Sequence, residues 1–162
     1  MRTIKVKILE QGPHIEAVKK ELKLNRRNVI FANGCFDLIH AGHVKYLEEA
    51  RLLGDVLIVG VNDDLSVRTL KGDQRPIMQL RDRMTVLAAL ECVDYVYPMN
   101  STTNCDLMRL VEPNVWTKGG DYTIAQLDQG EKDVALELGI KVVILPLTPL
   151  LSTSAIIARI KS

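Results

Sequence analysis

The sequence predicts a doubly wound α/β fold, with a parallel five-stranded sheet and helices on both faces. Short apolar runs rich in β-branched residues recur along the chain, and segments with helical spacing of apolar residues separate them. Hydrophobic residues make up 47% of the 162 residues, which is enough for one sizeable core. The predicted strands are Asn28–Ala32, Val56–Val61, Tyr95–Tyr97, Val115–Thr117 and Val142–Leu145.

Helical spacing places the first helix before the sheet begins. Gly12 and Pro13 precede Ile15, Val18 and Leu22, which predicts a short amphipathic helix packed beside the main domain. We therefore divide the chain into an N-terminal extension, residues 1–27, and one domain, residues 28–162. The whole arrangement is Rossmann-like.

Two further helices, His43–Leu53 and Arg81–Leu90, are expected to cover the sheet, because each places apolar residues on one side. The segments Asn62–Gln79 and Met99–Asn104 are linker-like but too short to separate domains. A last helix begins near Ser152, and the predicted inward-facing residues are Ile156, Ile157 and Ile160.

Composition excludes several classes of function. A net charge of +1 gives no basic field for nucleic acid, and no apolar run approaches the roughly 20 residues of a membrane span. The N-terminus lacks a signal-peptide core, so we expect a cytoplasmic protein. Cys35, Cys92 and Cys105 are widely spaced and form no CxxC pair, which favours reduced thiols.

The most informative segment lies between residues 31 and 43. An apolar strand runs into a turn at Asn33-Gly34-Cys35, and His40 and His43 follow at the start of a helix. Backbone N–H groups of such a turn, together with a helix N-terminus, suit an anion such as phosphate. Histidines three apart share one side of a helix, and Gly42 between them leaves room for a ligand. A capped helix with a half-buried imidazole, and metal ligation, are the alternatives for this pair, but no known zinc spacing is present.

Polar segments follow four of the predicted strands, and ligands of open α/β sheets bind at these strand ends. No GxGxxG fingerprint is present, which counts against a dinucleotide-dependent oxidoreductase. A transferase acting on phosphates remains the favoured class.

These motifs resemble those of a known family. Asp37-Leu-Ile-His-Ala-Gly-His43 is similar to the HxGH signature of the cytidylyltransferase-like nucleotidyltransferases, and the similarity continues to Ile160. The chain looks most like the heptose 1-phosphate adenylyltransferase part of ADP-heptose synthesis proteins. The further matching motifs are Leu70-Lys-Gly-Asp-Gln-Arg-Pro76, Arg81-Asp-Arg-Met84, Lys118-Gly-Gly-Asp-Tyr122 and Ser152-Thr-Ser-Ala-Ile-Ile157.

The resemblance implies transfer of AMP from ATP to a sugar 1-phosphate, with Mg²⁺ accompanying the nucleotide and no metal ligands in the protein. The implied catalytic residues are His40, His43 and Lys71. The implied nucleotide-binding residues are Asn33, Gly34, Cys35, Phe36, His40, Gly42, His43, Lys71, Arg83, Gly119, Gly120, Asp121, Ser152, Thr153 and Ser154. The implied substrate-binding residues are Asp37, Lys45, Arg75 and Tyr122.

Alternatives stay open for single residues. Lys71 could be a solvated loop lysine, Lys45 a solvent-facing helix residue, and Arg83 a member of a structural ion pair with an acid such as Asp82. Asp121 could bind ribose, the base edge or a water linked to Mg²⁺.

Alternatives also stay open for the function. A CTP-dependent glycerol 3-phosphate cytidylyltransferase, FMN adenylylation and a non-catalytic nucleotide sensor are the rivals. Leu147 stands where cytidylyltransferases carry an arginine near this position, which weakens the first rival. Members of the family that this sequence resembles often carry a fused sugar-kinase domain. No such domain is recognised in this sequence, so a separate kinase is expected to supply the substrate. Relatives commonly form dimers, and a homodimer is left open.

Overall fold

A computed structural model describes residues 3–9, 12–120, 123–146 and 152–162. Its strands are Val29–Gly34 (β1), Val56–Asn62 (β2), Tyr95–Met99 (β3), Val115–Gly119 (β4) and Lys141–Leu145 (β5). Its α-helices are Ile4–Lys7 (α1), Pro13–Leu24 (α2), Ala41–Arg51 (α3), Asp64–Lys71 (α4), Leu80–Ala89 (α5), Cys105–Val111 (α6), Gln129–Glu137 (α7) and Thr153–Lys161 (α8). A short 3₁₀ helix spans Ile124–Gln126.

The five strands form one parallel sheet in the order β3-β2-β1-β4-β5, which confirms the predicted fold class. The chain builds β1, β2 and β3 outward in one direction and then returns to place β4 on the other side of β1. The order of the strands therefore reverses between β1 and β4. Ligand clefts in such sheets form at this point, outside the carboxyl ends of the strands.

Successive side chains of each strand point to opposite faces, and both faces of this sheet are covered. Phe31 belongs to a core cluster that contains residues of α2, α6 and α7. Its neighbour Ile30 belongs to a second cluster that contains residues of α3 and α5. Helices on both faces explain why the strands read as almost continuous apolar runs.

The N-terminal segment packs into the same core as the sheet. Ile8 forms a parallel bridge with Val96 on the edge strand β3, and Leu9 donates its backbone N–H to the Val96 carbonyl at 2.9 Å. The predicted amphipathic helix is α2, which buries Ile15 and Leu22 against the cluster that contains Phe31. Residues 3–9 and 12–27 thus add to the core of the domain that follows.

Two predictions about local structure were wrong. The linker-like segment 62–79, where Lys71 was expected to lie in a loop, contains helix α4. This helix begins at the N-cap Asp63, whose carboxylate accepts the Ser66 N–H at 2.7 Å. Ile160, predicted to face inward, is 75% exposed, whereas Ile156 and Ile157 are half-buried. The nine-residue helix α8 buries only part of its apolar face.

Candidate active site

The turn between β1 and α3, residues 33–37, has an unusual backbone. Phe36 has a φ of 46°, in the left-handed region that residues with a side chain rarely adopt. Its buried ring covers Gly34, where an added Cβ would lie 3.2 Å from a ring carbon. The same ring meets the His43 imidazole edge to face, with the centroids 5.4 Å apart. Phe36 therefore links the turn to the histidine that follows it.

The two histidines form a stacked pair at the start of α3. Their ring centroids are 3.9 Å apart and their planes differ by 24°. His40 is the N-cap of α3, and its Nδ1 accepts the Gly42 N–H at 3.1 Å. In a neutral imidazole an Nδ1 that accepts leaves the proton on Nε2. His40 can therefore donate a hydrogen bond through Nε2.

Burial keeps both imidazoles neutral near pH 7. Burial lowers the pKa of His40, while burial and the neighbouring His40 charge lower the pKa of His43 to about 4. His43 Nδ1 is buried and has no hydrogen-bond partner among the described residues. Two neutral rings that can each donate one hydrogen bond suit a site where negative charge develops on a phosphate.

Two cationic residues approach the turn from the side of β2. Lys71 is the last residue of α4, exposed and lining the cleft rather than lying in a loop. Arg75 follows four residues later, and its Nε donates to the Asp37 carboxylate. Burial raises the pKa of the Cys35 thiol, although the charges of Lys71, Arg83 and Arg75 oppose the shift. The cleft thus holds a neutral thiol among cations.

Asp37, expected to bind substrate, instead accepts hydrogen bonds from the protein itself in this structure. It is 1% exposed and accepts the backbone N–H groups of Ile77 and Met78 at 2.8 and 2.9 Å, besides the Arg75 bond. Burial alone would raise the pKa of Asp37, but the Met78 and Ile77 N–H groups and Arg75 lower it overall. The carboxylate fastens the segment before α5 to the β1–α3 turn.

Arg83 lies at 0% exposure beneath the same segment. Its Nη2 pairs with Asp64 at 2.7 Å, its Nη1 donates to the Cys35 and Asn62 carbonyls, and its Nε donates to the Met78 carbonyl. These contacts correspond to the ion-pair alternative, with Asp64 in place of Asp82. Arg83, expected to contact nucleotide, instead positions the β1–α3 turn from behind.

The end of β4 forms the opposite wall of the cleft. At Gly119 an added Cβ would lie 3.0 Å from the ring of Tyr46, whose hydroxyl hydrogen-bonds Thr117. Gly120 has a φ of 144° and donates its N–H to the Leu145 carbonyl at 3.1 Å. These two glycines let β4 end close to the cleft. Asp121 and Tyr122 lie outside the described residues.

Helix α8 begins at the same cleft. Ser152 is its N-cap and accepts the Ala155 N–H at 3.1 Å, while the Thr153 hydroxyl donates to the Leu38 carbonyl at 3.3 Å. The second bond ties this helix to the segment before His40, 115 residues away in sequence. Ser154 is exposed.

All these elements surround one cleft of about 510 Å³. The predicted residues that line it are Asn33, Gly34, Cys35, Phe36, Asp37, His40, Gly42, His43, Lys71, Arg75, Gly119, Ser152, Thr153 and Ser154. Lys45 is exposed on α3 and does not line the cleft. This agrees with the alternative that Lys45 is a solvent-facing helix residue.

A buried polar network beneath the cleft was not predicted. Asn33 Oδ1 accepts the indole N–H of Trp116 at 3.0 Å and packs against Asn104, which is 0% exposed. Glu131 at the start of α7 accepts the Asn104 backbone N–H at 3.2 Å and pairs with Lys118. Lys118 precedes the two glycines of its motif, and no local sequence spacing relates this lysine to Glu131.

A second cavity of about 500 Å³ lies between α2 and the start of β1. Lys19 and Lys23, which line it, pair with Glu112 at 2.7 and 2.6 Å. It contains no histidine, whereas the cleft at the strand ends combines histidines, cations and a helix N-terminus. We therefore assign the active site to the cleft.

Comparison with known proteins identifies the family of the chain. The model of the cytidylyltransferase-like family matches residues 31–159. A bifunctional protein HldE of Nitratiruptor sp. is 45% identical over 148 residues, and that of Wolinella succinogenes is 44% identical over 147. Each alignment covers 91% of this chain. The chain spans only 31% and 30% of the length of these two curated relatives.

Solved structures share the fold. A lipopolysaccharide core biosynthesis protein from Thermoplasma volcanium superposes with a TM-score of 0.60 at 29% identity, over 75% of this chain and 97% of that one. A pantoate-beta-alanine ligase from Francisella tularensis gives 0.61 at 15% identity, over 91% and 68%, which concerns the fold alone. With the family model spanning both the histidine pair and the start of α8, the chain belongs to the cytidylyltransferase-like family of nucleotidyltransferases.

Proposed function

We propose that the protein transfers AMP from ATP to a sugar 1-phosphate and releases pyrophosphate. The observation that carries this proposal is the stacked pair of neutral histidines beside the β1–α3 turn, in a cleft that also contains Lys71 and the start of α8. Phosphoryl-type transfer depends mainly on positioning and on electrostatic stabilisation of developing charge. This cleft supplies groups for both.

The sugar is proposed to be a heptose. Support comes from the motif resemblance, from the HldE relatives and from the Thermoplasma protein, whose description names lipopolysaccharide core biosynthesis. The substrate would then be D-glycero-D-manno-heptose 1-phosphate and the product an ADP-heptose.

In the proposed reaction an oxygen of the sugar phosphate attacks the α-phosphorus of ATP in line. A new P–O bond forms as the bond between the α-phosphorus and the bridging oxygen breaks, and that oxygen leaves with pyrophosphate. His40 and His43 donate hydrogen bonds to the charge that develops on the α-phosphate and the leaving group. No covalent bond to the protein forms.

Other groups hold the triphosphate. Lys71 contacts a phosphate from the β2 side, and the N-terminus of α8 with Ser152–Ser154 binds the β- and γ-phosphates through its free N–H groups. The β1–α3 turn and the end of β4 place backbone against the nucleotide. Asp121 and Tyr122 remain proposed ligand contacts.

Mg²⁺ is proposed to enter with the nucleotide. The described residues contain no group of three or more His, Cys, Asp or Glu side chains that could hold a metal ion. Asp37 and Glu131, two carboxylates of the cleft, already accept hydrogen bonds from the protein. This donor set fits an ion held mainly by phosphate oxygens and water, and the ion would neutralise triphosphate charge.

The proposed reaction needs a phosphorylated sugar and ATP. The sugar 1-phosphate is proposed to come from a sugar kinase reaction. We place the enzyme in the cytoplasm, where ATP is available. The described residues include no helix with the length and apolar character of a membrane span. A homodimer is part of the same proposal.

Pyrophosphate release tests the proposal. The assay compares ATP and CTP, each with heptose 1-phosphate, glycerol 3-phosphate and FMN, in the presence of Mg²⁺. We expect release from ATP with heptose 1-phosphate, and a far lower kcat with little change in KM for His40→Ala and His43→Ala. Loss of one preorganised donor of this kind typically costs on the order of 100-fold in kcat.

Each rival gives a different result in the same assay. Preference for CTP with glycerol 3-phosphate would identify a cytidylyltransferase, and release with FMN an FMN adenylyltransferase. Binding of ATP without release from any pair would identify a nucleotide sensor. Histidine variants with wild-type kcat would overturn the catalytic assignment.

A further inference from the structure

Lys118 is a cation on β4 that lines the cleft, and two contacts restrain its position. Its Nζ lies 3.5 Å from Glu131 Oε2 and 5.1 Å from the centroid of the Trp116 ring. The Lys118 side chain is 22% exposed and lines the cleft, while that of Glu131 is 6% exposed. The ammonium group therefore reaches the cleft with a buried carboxylate behind it.

Glu131 is itself held in place. Its Oε1 accepts the Asn104 backbone N–H at 3.2 Å, and its own N–H donates to the Asp128 carboxylate at 3.0 Å. A carboxylate fixed in this way has one oxygen left for Lys118. It restricts a flexible side chain to one region of the cleft, which lowers the entropy lost when that side chain binds a ligand.

The sheet order gives Lys118 a distinct place among the cleft cations. Lys71 and Arg75 follow β2, on one side of β1, whereas Lys118 is the second-last residue of β4 on the other side. Arg75 is already bonded to Asp37. Lys118 is thus the cation nearest the β4 wall of a site that must accept two phosphate-bearing substrates.

We propose that Lys118 binds a phosphate group of a substrate and that Glu131 is the residue that positions it. The proposal rests on the proposed function, because it assigns a phosphate contact within that site. In the alternative explanation, Lys118 only neutralises the buried Glu131 carboxylate, a role that requires no contact with substrate.

Combined variants separate these explanations. Lys118→Met leaves Glu131 unpaired and should lower the Tm, and adding Glu131→Gln should restore it. If Lys118 binds phosphate, the double variant still binds one substrate weakly although its Tm is restored. The KM for that substrate should rise roughly 10- to 100-fold, as for loss of a charge-assisted hydrogen bond. Recovery of both Tm and KM would overturn the proposal.

Conservative and control variants complete the test. Lys118→Arg should keep KM within a few-fold of the wild-type value, and Glu131→Gln alone should raise KM more than it lowers kcat. Lys141→Met is the matched control, because Lys141 is exposed at the start of β5, in register with Val115 at the amino end of β4, whereas the cleft lies at the carboxyl ends of the strands. It should change neither constant, and a rise in its KM equal to that of Lys118→Met would contradict a local phosphate contact.

Calorimetric binding keeps this test independent of turnover. ATP with Mg²⁺, heptose 1-phosphate and glycerol 3-phosphate are titrated separately into wild-type protein and the double variant. Weakened binding of ATP assigns Lys118 to the nucleotide, and weakened binding of a sugar or polyol phosphate assigns it to the acceptor. If wild-type protein releases no pyrophosphate, the proposed function fails while these titrations still decide the role of Lys118. A wild-type protein that binds none of the three compounds overturns both.

Discussion

The ring of Phe36 packs edge to face against the imidazole of His43, with the centroids 5.4 Å apart. Phe36 belongs to the β1–α3 turn and His43 to the first turn of α3, so this contact joins two parts of the cleft. Phe36 keeps this position although its backbone φ of 46° is unfavourable for a residue with a side chain.

Removing this ring should impair both stability and turnover. Phe36 is 5% exposed, so Phe36→Ala should lower the free energy of unfolding by about 3 kcal/mol or more. Loss of the support for His43 should lower kcat by on the order of 10- to 100-fold, because small displacements of catalytic groups are costly. Urea unfolding and pyrophosphate release measure the two effects.

Phe36→Leu is the matched control, since it keeps most of the apolar volume without the aromatic edge. It should recover most of the stability but only part of the turnover. Full turnover in Phe36→Ala would show that His43 keeps its position without the ring.

Arg83 should be required for folding. Arg83→Met leaves Asp64 and the carbonyls of Cys35, Asn62 and Met78 without their donor, which should cost about 3–5 kcal/mol of unfolding free energy. Arg83→Lys should restore little, because an ammonium group cannot reproduce the planar fork. Chemical denaturation measures both variants.

Arg81→Met provides the comparison for Arg83, because Arg81 is exposed on the same helix two residues earlier. It should stay within about 0.5 kcal/mol of wild type. If Arg83→Met is as stable as Arg81→Met but binds ATP weakly, Arg83 contacts the nucleotide and the proposed structural role is wrong.

The contrast between Arg83 and His40 shows how far the sequence could lead. His40 and His43 are three apart on one helix, so their proximity is a local property that spacing predicts. The partners of Arg83 lie 5 to 48 residues away, in the segment before α5, on β2, on α4 and in the β1–α3 turn. Sequence spacing suggests only a nearby acid such as Asp82 as a partner, so it could not decide the role of Arg83.

Parallel strands were predictable because they are buried on both faces and therefore almost entirely apolar. Helix α4 was not, because its eight residues are mostly polar and are followed by Gly72, a pattern shared with loops. The pairing of Lys118 with Glu131 joins a strand end to a separate helix. Only the packing of α7 against the sheet brings these two residues together.

His43 should make stability depend on pH. Its pKa is lowered to about 4 by burial and by His40, so between that pH and its ordinary pKa of 6.5 the unfolded chain binds more protons than the folded one. Stability should therefore be full above pH 6.5 and fall as the pH is lowered toward 4. The loss due to His43 has an upper limit of about 3 kcal/mol.

Urea unfolding at pH 7.5, 6 and 5 measures this dependence. His43→Gln, which cannot titrate, should lose less stability than wild type between pH 7.5 and 5. His14→Gln, at an exposed position on α2, should keep the wild-type dependence. Equal slopes for wild type and His43→Gln would contradict a buried neutral imidazole.

Lys7 should contribute to stability through the end of α5. Its Nζ donates to the carbonyls of Leu90 and Val93 at 3.0 and 2.7 Å, which places a cation at a helix C-terminus and satisfies carbonyls beyond the last turn. Lys7→Met should therefore lower the free energy of unfolding by about 1–2 kcal/mol in urea.

Lys5→Met is the matched control, since Lys5 is exposed on the same short helix, and it should change stability by less than about 0.5 kcal/mol. Because Lys7 lies at the surface rather than in the core, its variant should still fold and show wild-type KM values. Equal stability of the two variants would mean that the two Lys7 hydrogen bonds do not help to hold residues 3–9 in place. A lower stability for Lys7→Met alone would make this lysine part of what joins residues 3–9 to the domain that carries the cleft.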